Sequence, residues 1–178
     1  GDDTIYIFSN PGVAGGSDTK HILDKNNNYI LDEISNNYID GGLGDDNLTF
    51  RSSAYTRSGR VETQIDGGAG DDIINVTDDG AGSTPNTNGN QSYYGIAKVT
   101  IDGGEGEDKI TVSGGLDISI TTGGGSDVIS LTAKQYRTLL EGARNIRNDD
   151  GSSEVVDAKP IYITDFTVGE SGDVLDYG

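Results

Sequence analysis

The stretch IDGGAGDDIINV, residues 65–76, sets three aspartates and three glycines between apolar residues. After Asp72 the order is Asp-x-apolar-x-apolar, which puts Ile74 and Val76 on the same side of an extended chain. Alternation with a period of two is typical of a β-strand, and glycines beside it indicate a tight bend. The stretch therefore predicts a glycine-rich corner that leads into a strand.

This pattern recurs along the chain. The other full copies are IDGGLGDDNLTF (39–50), IDGGEGEDKITV (101–112) and ITTGGGSDVISL (120–131), and the partial copies are GDDTIYI (1–7) and GESGDVLDY (169–177). A second apolar segment precedes each full corner: NYI, VETQI, KVTI and LDISI. Repeated strand–corner–strand units predict a parallel β-solenoid of stacked turns.

The spacing of the copies predicts where the loops lie. The second acid of the motif recurs after 26, 36 and 19 residues. The shortest turn returns through SGG (113–115), whereas the others carry insertions at 8–38, 51–60 and 77–95. We therefore expect the glycine corners along one edge and loops of variable length along the opposite edge, where recognition is commonly found.

Composition limits the partners. The chain of 178 residues has 30 acidic and 12 basic residues, a formal charge of −18 and no cysteine. Nucleic acid and anionic membranes require positive charge, so neither is an expected partner. No apolar run is long enough for a membrane span, and no signal peptide is visible. Because both ends fall inside patterned segments, we expect a monomeric module excised from a longer protein.

The pattern changes after Leu131. Helical spacing of apolar residues in TAKQYRTLLEGARNI (132–146), with Thr132 and Gln135 as a capping box, predicts an α-helix that caps the stack. Its basic residues are either a docking surface or a solvated face. A loop at 148–154 and a strand in PIYITDF (160–166) follow. The predicted fold is therefore mainly all-β, with a solenoid at 1–131 and a capping helix plus terminal strands at 132–178 in the same domain.

The corner motif suits calcium. Calcium is a hard cation that takes six to eight oxygen ligands, which carboxylates and inward-pointing carbonyls supply. Glycine permits the bends that turn carbonyls inward, and two stacked corners can together surround an ion. The alternative is that these are ordinary Asp-Gly turns joining strands. Four copies in register with matching apolar columns favour calcium.

The motif Gly-Gly-x-Gly-x-Asp-x-apolar-x resembles the RTX (repeats-in-toxin) nonapeptide family. The resemblance implies several calcium ions, each between successive corners, with side-chain ligands from Asp3, Asp46, Asp72, Asp108 and Asp127. It implies carbonyl ligands from Gly41, Gly67, Gly103 and Gly123. Asp40, Asp66 and Asp102, which precede the glycine pairs, are additional candidate ligands, as is Asp173 in the degenerate last copy. The copies here are more widely spaced than the nine-residue tandem of the family, so we expect one calcium-bearing edge.

In a separate stretch, DKNNNYILDE (24–33), the candidate ligands have the spacing found in an EF-hand loop. Its candidate ligands are Asp24, Asn26, Asn28 and Asp32 at positions 1, 3, 5 and 9. Tyr29 replaces the usual glycine at position 6, and Ser35 replaces the glutamate at position 12. The stretch is either a second type of calcium site or a polar loop.

The resemblance implies a secreted bacterial protein that leaves the cell by type I secretion and folds on meeting external calcium. We expect a calcium-dependent module of a large surface adhesin whose insertions bind an extracellular peptide or glycan. A passive export and folding module of a toxin or exoenzyme is the alternative. An enzyme acting on polysaccharide is disfavoured: His21 is the only histidine, and no nucleophile or zinc motif occurs.

Overall fold

The structure is a computed structural model. It describes residues 1–9, 22–23, 29–30, 34–52, 60–78, 96–135, 143–147, 153–157, 159–169 and 172–176. In chain order the strands are β1 (Thr4–Ser9), β2 (Ile22–Leu23), β3 (Tyr29–Ile30), β4 (Ile34–Asp40), β5 (Asn47–Ser52), β6 (Arg60–Asp66), β7 (Ile73–Asp78), β8 (Ile96–Asp102), β9 (Lys109–Ser113), β10 (Asp117–Thr121), β11 (Val128–Leu131), β12 (Ala143–Arg147), β13 (Ser153–Asp157), β14 (Tyr162–Thr164) and β15 (Val174–Asp176).

Two parallel sheets make up most of the described chain, which confirms the mainly all-β prediction. The first sheet has the order β1-β5-β7-β9-β11-β15, and the second has the order β14-β10-β8-β6-β4. Each glycine corner connects a strand of the second sheet to a strand of the first. Every repeat of the motif therefore adds one strand to each sheet.

The register of the first sheet follows the motif. The apolar pair Ile74 and Val76 lies beside Leu48 and Phe50 on one neighbour, and beside Ile110 and Val112 on the other. The same alignment continues outward in both directions, through Ile5↔Leu48, Ile7↔Phe50, Ile110↔Ile129, Val112↔Leu131 and Ile129↔Leu175. Five of the six apolar pairs predicted from the sequence thus stand in two columns, and Tyr177 of the sixth pair is outside the described residues.

The second sheet is aligned in the same way. Its buried positions alternate with outward-facing ones, so that Ile65 lies beside Ile39 and Ile101, and Ile101 lies beside Ile120. The inward side chains of both sheets form a single cluster in which most members are no more than 2% exposed. Full burial of an aliphatic side chain contributes about 1.5–3 kcal/mol. The apolar columns therefore hold the two sheets face to face.

The short return between β9 and β10 is as tight as predicted. Gly114 and Gly115 follow Ser113 directly and adopt φ values of 92° and 111°, a region that side-chain-bearing residues rarely enter. The predicted return strand after residue 160 is also present, because β14 pairs in parallel with β10 and β15 pairs with β11. The last two strands thus extend the same two sheets. Parts of the predicted insertion at 8–38 lie in β1 and β4, and the rest of it is largely outside the described residues, as are 53–59 and 79–95.

The predicted capping helix is wrong from Ala143 onward. In the described part of the chain, helix is confined to residues 133–135, whereas Ala143–Arg147 is β12 and pairs antiparallel with β13. The turn-forming segment between these strands, with β-branched residues in both, favours a hairpin over continued helix. The predicted loop at 148–154 is wrong at its last two residues, because Ser153 and Glu154 belong to β13, and residues 148–152 lie outside the described residues. No helix among the described residues is long and apolar enough to cross a membrane.

The predicted capping box is also wrong. The side chain of Gln135 is fully buried, and its Nε2 donates to the carbonyl of Gly115 across 3.3 Å. Thr132 Oγ1 is buried without a hydrogen-bond partner, so it does not cap residue 135. Lys134, which was predicted on a solvated or docking face, donates through Nζ to the carbonyl of Asp78. These contacts join the residues after β11 to the end of β7, which lies two strands away in the first sheet, and to the Ser113–Gly115 return.

Candidate metal centre

The glycine corners are stacked in register by backbone hydrogen bonds. Leu43, Ala69, Glu105 and Gly124 form successive parallel bridges at the middle of the corners. The N–H that follows each incoming strand donates to the next strand at 2.9 Å: Gly41 to Asp66, Gly67 to Asp102, and Gly103 to Thr121. Equivalent atoms of successive corners therefore face one another along the stack.

A row of buried carboxylates runs along these corners. Asp46, Asp72, Asp108 and Asp127 are at most 2% exposed. One oxygen of each, Oδ1, accepts the backbone N–H of the equivalent aspartate in the preceding corner. The N–H to Oδ1 distances are 2.6 Å from Asp3 to Asp46, 2.8 Å from Asp46 to Asp72, 2.8 Å from Asp72 to Asp108 and 2.9 Å from Asp108 to Asp127. The aspartates at the sixth position of the motif are thus joined by a continuous ladder of N–H to Oδ1 hydrogen bonds.

The second oxygen of each of these carboxylates has no partner. Oδ2 of Asp46, Asp72, Asp108 and Asp127 is buried and makes no hydrogen bond. A buried polar atom left unsatisfied costs about 1–3 kcal/mol, and more when it carries charge. Native proteins have only a few such atoms per 100 residues, and here one recurs at the same position in every full copy. The regularity indicates that something other than protein satisfies these oxygens.

The glycine that opens the motif allows successive corners to approach each other closely beside each Oδ2. A Cβ built on Gly67 would overlap the carbonyl oxygen of Gly103 and lie 2.6 Å from Asp72 Oδ2. Gly41 stands in the same relation to the Gly67 carbonyl and Asp46 Oδ2, and Gly103 to the Thr122 carbonyl and Asp108 Oδ2. We call these three positions, where the glycine has no side chain between the two oxygens, the corner gaps. At each one a carboxylate oxygen of one corner and a carbonyl oxygen of the next lie near the same point.

The other glycines of the motif serve the bend. Gly68 and Gly70 have φ values of 98° and 133°, and the equivalent glycines of the other corners have similar values. Only glycine enters this region without strain. The first glycine thus keeps the corner gap free of a side chain, while the second and third glycines adopt the positive φ values that the turn requires.

Oxygen ligands and negative charge together suit a hard divalent cation. No backbone N–H of the described residues donates to the carbonyls of Gly67, Gly103 or Thr122, so these oxygens are free for an ion. The described residues contain no group of three or more Asp, Glu or His side chains arranged to hold a metal. Calcium does not require one, because backbone carbonyls and water complete its coordination sphere. The residues present therefore fit calcium, with one carboxylate and at least one carbonyl at each gap.

The fourth corner differs from its prediction by one residue. Gly123 was expected to occupy the position of Gly67 and Gly103. Because Thr121 lies beside Asp102 in the second sheet, the residue at that position is Thr122. Gly123, with φ of 93°, takes the place of Gly68 and Gly104. The carbonyl that faces Asp108 Oδ2 accordingly belongs to Thr122.

Asp40, Asp66 and Asp102 form a separate row. They lie side by side at the ends of β4, β6 and β8, where Asp40 and Asp102 are exposed. Burial, followed by the charges of Asp102 and Asp40, raises the pKa of Asp66. Each aspartate of the row directly follows a buried isoleucine, Ile39, Ile65 or Ile101, so its side chain points to the opposite face of the sheet. The structure therefore does not bring these three predicted ligands to the buried carboxylates.

The remaining predicted ligands fall into three groups. Asp3 is exposed and joins the ladder only through its N–H. Asp173 lies on the ladder, where its Oδ1 accepts from Asp127 N–H at 3.0 Å and its Oδ2 accepts from Thr167 N–H at 2.7 Å. The EF-hand-like ligands Asp24, Asn26, Asn28 and Asp32 lie outside the described residues.

Sequence reasoning missed a second ladder. An exposed acid, Asp45, Asp71 or Glu107, comes just before three of the four buried aspartates. Oδ1 of Asp45 accepts the N–H of Asp71 at 2.9 Å, and Oδ1 of Asp71 accepts the N–H of Glu107 at 2.8 Å. Asp2 accepts a longer bond of 3.4 Å from Asp45. The acid at the fifth position of three copies was the available signal. Asp78, buried at the end of β7 and bonded to Ser52 Oγ at 2.9 Å, had no such signal.

Burial disfavours the ionised form of the carboxylates in the buried row. It raises the pKa of Asp108 to about 7, with the charges of Asp127 and Asp72 acting in the same direction and the N–H of Asp72 opposing. Burial is also the first cause that raises the pKa of Asp72 and of Asp127. Without a cation, these groups therefore favour the protonated state.

The metal-free protein should gain stability as the pH falls from about 7 towards 4. Asp108 holds its proton more tightly when folded, since its pKa rises from 3.8 to about 7. This stabilisation is complete below 3.8 and is lost as the pH rises to 7. Thermal melts followed by circular dichroism in chelator test the expectation: the folded fraction, small at pH 7, and the melting temperature should both rise as the pH falls, and Asp108→Asn should flatten this profile.

Calcium affinity should change in the opposite direction. An ion must displace the proton of Asp108, so affinity should fall by up to about tenfold per pH unit below 7. A metal-free protein that melts at lower temperature on acidification from pH 7 to 5 would contradict this electrostatic account.

Comparison with models of protein families, with curated proteins and with solved structures gives no match to this chain.

Proposed function

We propose that the chain is a calcium-dependent folding and binding module of a large secreted RTX surface protein of bacteria. In this proposal the two parallel sheets are the walls of a calcium-bound β-solenoid. The observation that carries it is the row of buried, unpartnered Asp Oδ2 atoms, three of which face carbonyl oxygens across the corner gaps.

The charge of the chain supports a link between calcium and folding. With a formal charge of −18, the chain brings four aspartates into one buried row. A divalent ion in a gap offsets both the repulsion along the row and the missing hydrogen bond. Since the corners exist only when stacked, the free energy of binding contributes directly to folding.

The expected affinity points to an extracellular site of action. Calcium sites of extracellular modules have dissociation constants on the order of 0.1–1 mM. At the far lower calcium level of a cytosol such sites are empty, and the chain would remain loose enough for export. Magnesium is a poor substitute, because it demands near-octahedral geometry and gives up water reluctantly.

The adhesin role rests on the insertions. The register of β6–β8 and of β7–β9 continues unbroken on both sides of the 77–95 insertion, so the sheets do not depend on its length. An insertion whose length the sheets do not fix is available for recognition of a peptide or glycan. A passive export module would carry the same corner gaps and would bind neither, and no catalytic step is included in either proposal.

Peptide and glycan arrays probed with calcium and with chelator test the binding role. The wild-type protein should bind a defined set of ligands only with calcium. A variant in which residues 79–95 are replaced by a short glycine–serine linker should keep its circular dichroism spectrum but lose or change that set. If the calcium-loaded wild type binds nothing on either array, the passive module replaces the adhesin.

A further inference from the structure

One end of the two-sheet stack is uneven. β1 is the outermost strand of the first sheet, and β4 is the outermost strand of the second sheet at the same end. The corner after β4 leads into β5, and β1 pairs with the far side of β5, so β1 lies one strand further out than β4. Among the described residues, no strand of the second sheet lies opposite β1, and none pairs with the outer edge of β4. The first sheet therefore projects by one strand.

The inner face of the projecting strand is incompletely covered. Ile5 and Ile7 of β1 are partly buried against the core, whereas Leu48 and Phe50, which lie beside them on β5, are fully buried. The missing cover is on the side where the second sheet ends at β4. An unpaired strand edge beside uncovered apolar side chains is a template for pairing with another strand.

An end that projects by one strand is complementary to itself. A two-fold axis parallel to the strands exchanges the positions of the two sheets and keeps the direction of each strand. It places β1 of a second copy in the vacant position beside β4, and it places β1 of the first copy beside β4 of the second. Because each corner reverses the chain, both of these junctions are antiparallel. The opposite end lacks this property, since β14 and β15 are joined by one corner and extend the two sheets equally.

The first full corner fixes the register of the junctions. A Cβ on Gly41 would lie beside Oδ2 of Asp46, so their neighbours Asp40 and Asn47 also face each other across the turn. Thr4 lies beside Asn47 in the first sheet. The two-fold axis therefore places Thr4 of one copy opposite Asp40 of the other.

This register pairs side chains of the same kind. Counting along the antiparallel strands places Ile5 opposite Ile39 on the inner face, and Tyr6 opposite Tyr38 on the outer face. The two tyrosines are 59% and 61% exposed in the single chain. Aromatic and β-branched cross-strand pairs stabilise a sheet. The junction would thus continue the core and cover both tyrosines.

The backbone groups of the two edges match in the same register. The N–H of Gly41 donates to β6, so the backbone of Tyr38, three residues earlier, faces the outer edge of β4. The carbonyl of Asp3 accepts from β5, so the backbone of Tyr6, three residues later, faces the outer edge of β1. Opposite residues of an antiparallel pair that face each other exchange two N–H to carbonyl hydrogen bonds. Tyr6 and Tyr38 meet this requirement, which the register from the corner did not guarantee.

We propose that the chain forms a two-fold symmetric dimer through β1 and β4, in which each copy supplies the strand that the other lacks. The same surface of both copies forms the interface, as in most dimers of identical chains. The two solenoids become one continuous pair of sheets with an antiparallel junction in each. This dimer differs from the monomeric module predicted from the sequence. It depends on the strand order and on neither calcium nor the proposed binding role.

Light scattering after size-exclusion chromatography in millimolar calcium tests the dimer. The wild type should have twice the chain mass of 18.6 kDa. Tyr38→Pro removes the N–H that faces the second copy, and proline is tolerated on an edge strand at such a position, so this variant should be a folded monomer. Tyr38→Thr keeps the N–H and should keep the dimer. Circular dichroism confirms that each variant is folded.

Cysteine cross-linking tests the register independently of folding changes at Tyr38. The chain has no cysteine, and opposite Cα atoms of a hydrogen-bonded antiparallel pair are about 5.5 Å apart, within the range of a disulfide. Tyr6→Cys/Tyr38→Cys should therefore form a covalent dimer under mild oxidation. Tyr6→Cys/Tyr162→Cys, with its second cysteine at an equally exposed tyrosine of the opposite end, should not. A folded wild type that stays monomeric at its highest soluble concentration, or equal cross-linking of the two cysteine variants, would overturn the proposal.

Discussion

Chelation of calcium is expected to abolish most of the strand signal of this protein. In the metal-free folded state three Oδ2 atoms would face the corner gaps unsatisfied, at a cost of about 1–3 kcal/mol each and more for charged groups. The total, about 3–9 kcal/mol, is comparable to the whole stability of a typical domain, about 5–15 kcal/mol. The metal-free chain should therefore be largely unfolded at neutral pH.

Circular dichroism with excess chelator, followed by titration back to millimolar calcium, measures this effect. The strand signal should return cooperatively, because each ion connects two successive corners. Chelator with 1 M sodium chloride is the control for general charge repulsion, since salt at that level screens surface charges beyond about 3 Å. Salt should not restore the fold, as the unsatisfied oxygens are buried. Full strand content in chelator would contradict the coupling of calcium to folding.

Asp72→Asn should raise the calcium concentration needed for folding and lower the stability of the loaded protein by about 2–3 kcal/mol. Asparagine keeps an Oδ1 for the N–H of Asp46, so the ladder survives. Its Nδ2 replaces the oxygen that faces the second gap, and an amide N–H₂ repels a cation. At a calcium concentration near 100 times the dissociation constant, loss of one ion costs about 2.7 kcal/mol.

Asp71→Asn provides a matched control one residue away. Asp71 is exposed and accepts the N–H of Glu107 at 2.8 Å, a bond that asparagine also makes. Because its carboxylate does not belong to a corner gap, the substitution should change stability by no more than about 0.5 kcal/mol. Urea unfolding at a fixed calcium concentration about 100 times the measured dissociation constant compares both variants. Equal effects of the two substitutions would mean that the negative charge of the corners, and not the gap, determines calcium dependence.

The sheets and their register were predictable because the sequence repeats them. Asp-x-apolar-x-apolar recurs without an insertion between the aspartate and the strand, so aligning Asp46, Asp72 and Asp108 also aligns the apolar columns. The prediction of parallel strands and a shared core thus required only the period-two pattern and the glycine bend. Insertions of different lengths did not disturb it, because they fall on the far side of each turn.

The departures from prediction arise where long-range contacts decide the outcome. In the sequence, Gly123 aligns with the first glycine of the pair, the position of Gly67 and Gly103. The β-pairing of Thr121 with Asp102 instead places Thr122 at that position. The residues after Leu131 have helical spacing, yet pairing with Ser153–Asp157 turns Ala143–Arg147 into a strand. Likewise, nothing local marks Asp40, Asp66 and Asp102 as outward-facing. Their outward orientation follows only from their position in the second sheet, one residue after a buried isoleucine.

Anomalous diffraction from crystals grown with calcium would locate the bound ions themselves. We expect an ion in each of the three corner gaps, coordinated by Oδ2 of Asp46, Asp72 or Asp108 and by the carbonyl oxygen of Gly67, Gly103 or Thr122. Crystals at millimolar calcium with empty corner gaps, and with those Oδ2 atoms bonded to water or to protein donors, would contradict this expectation.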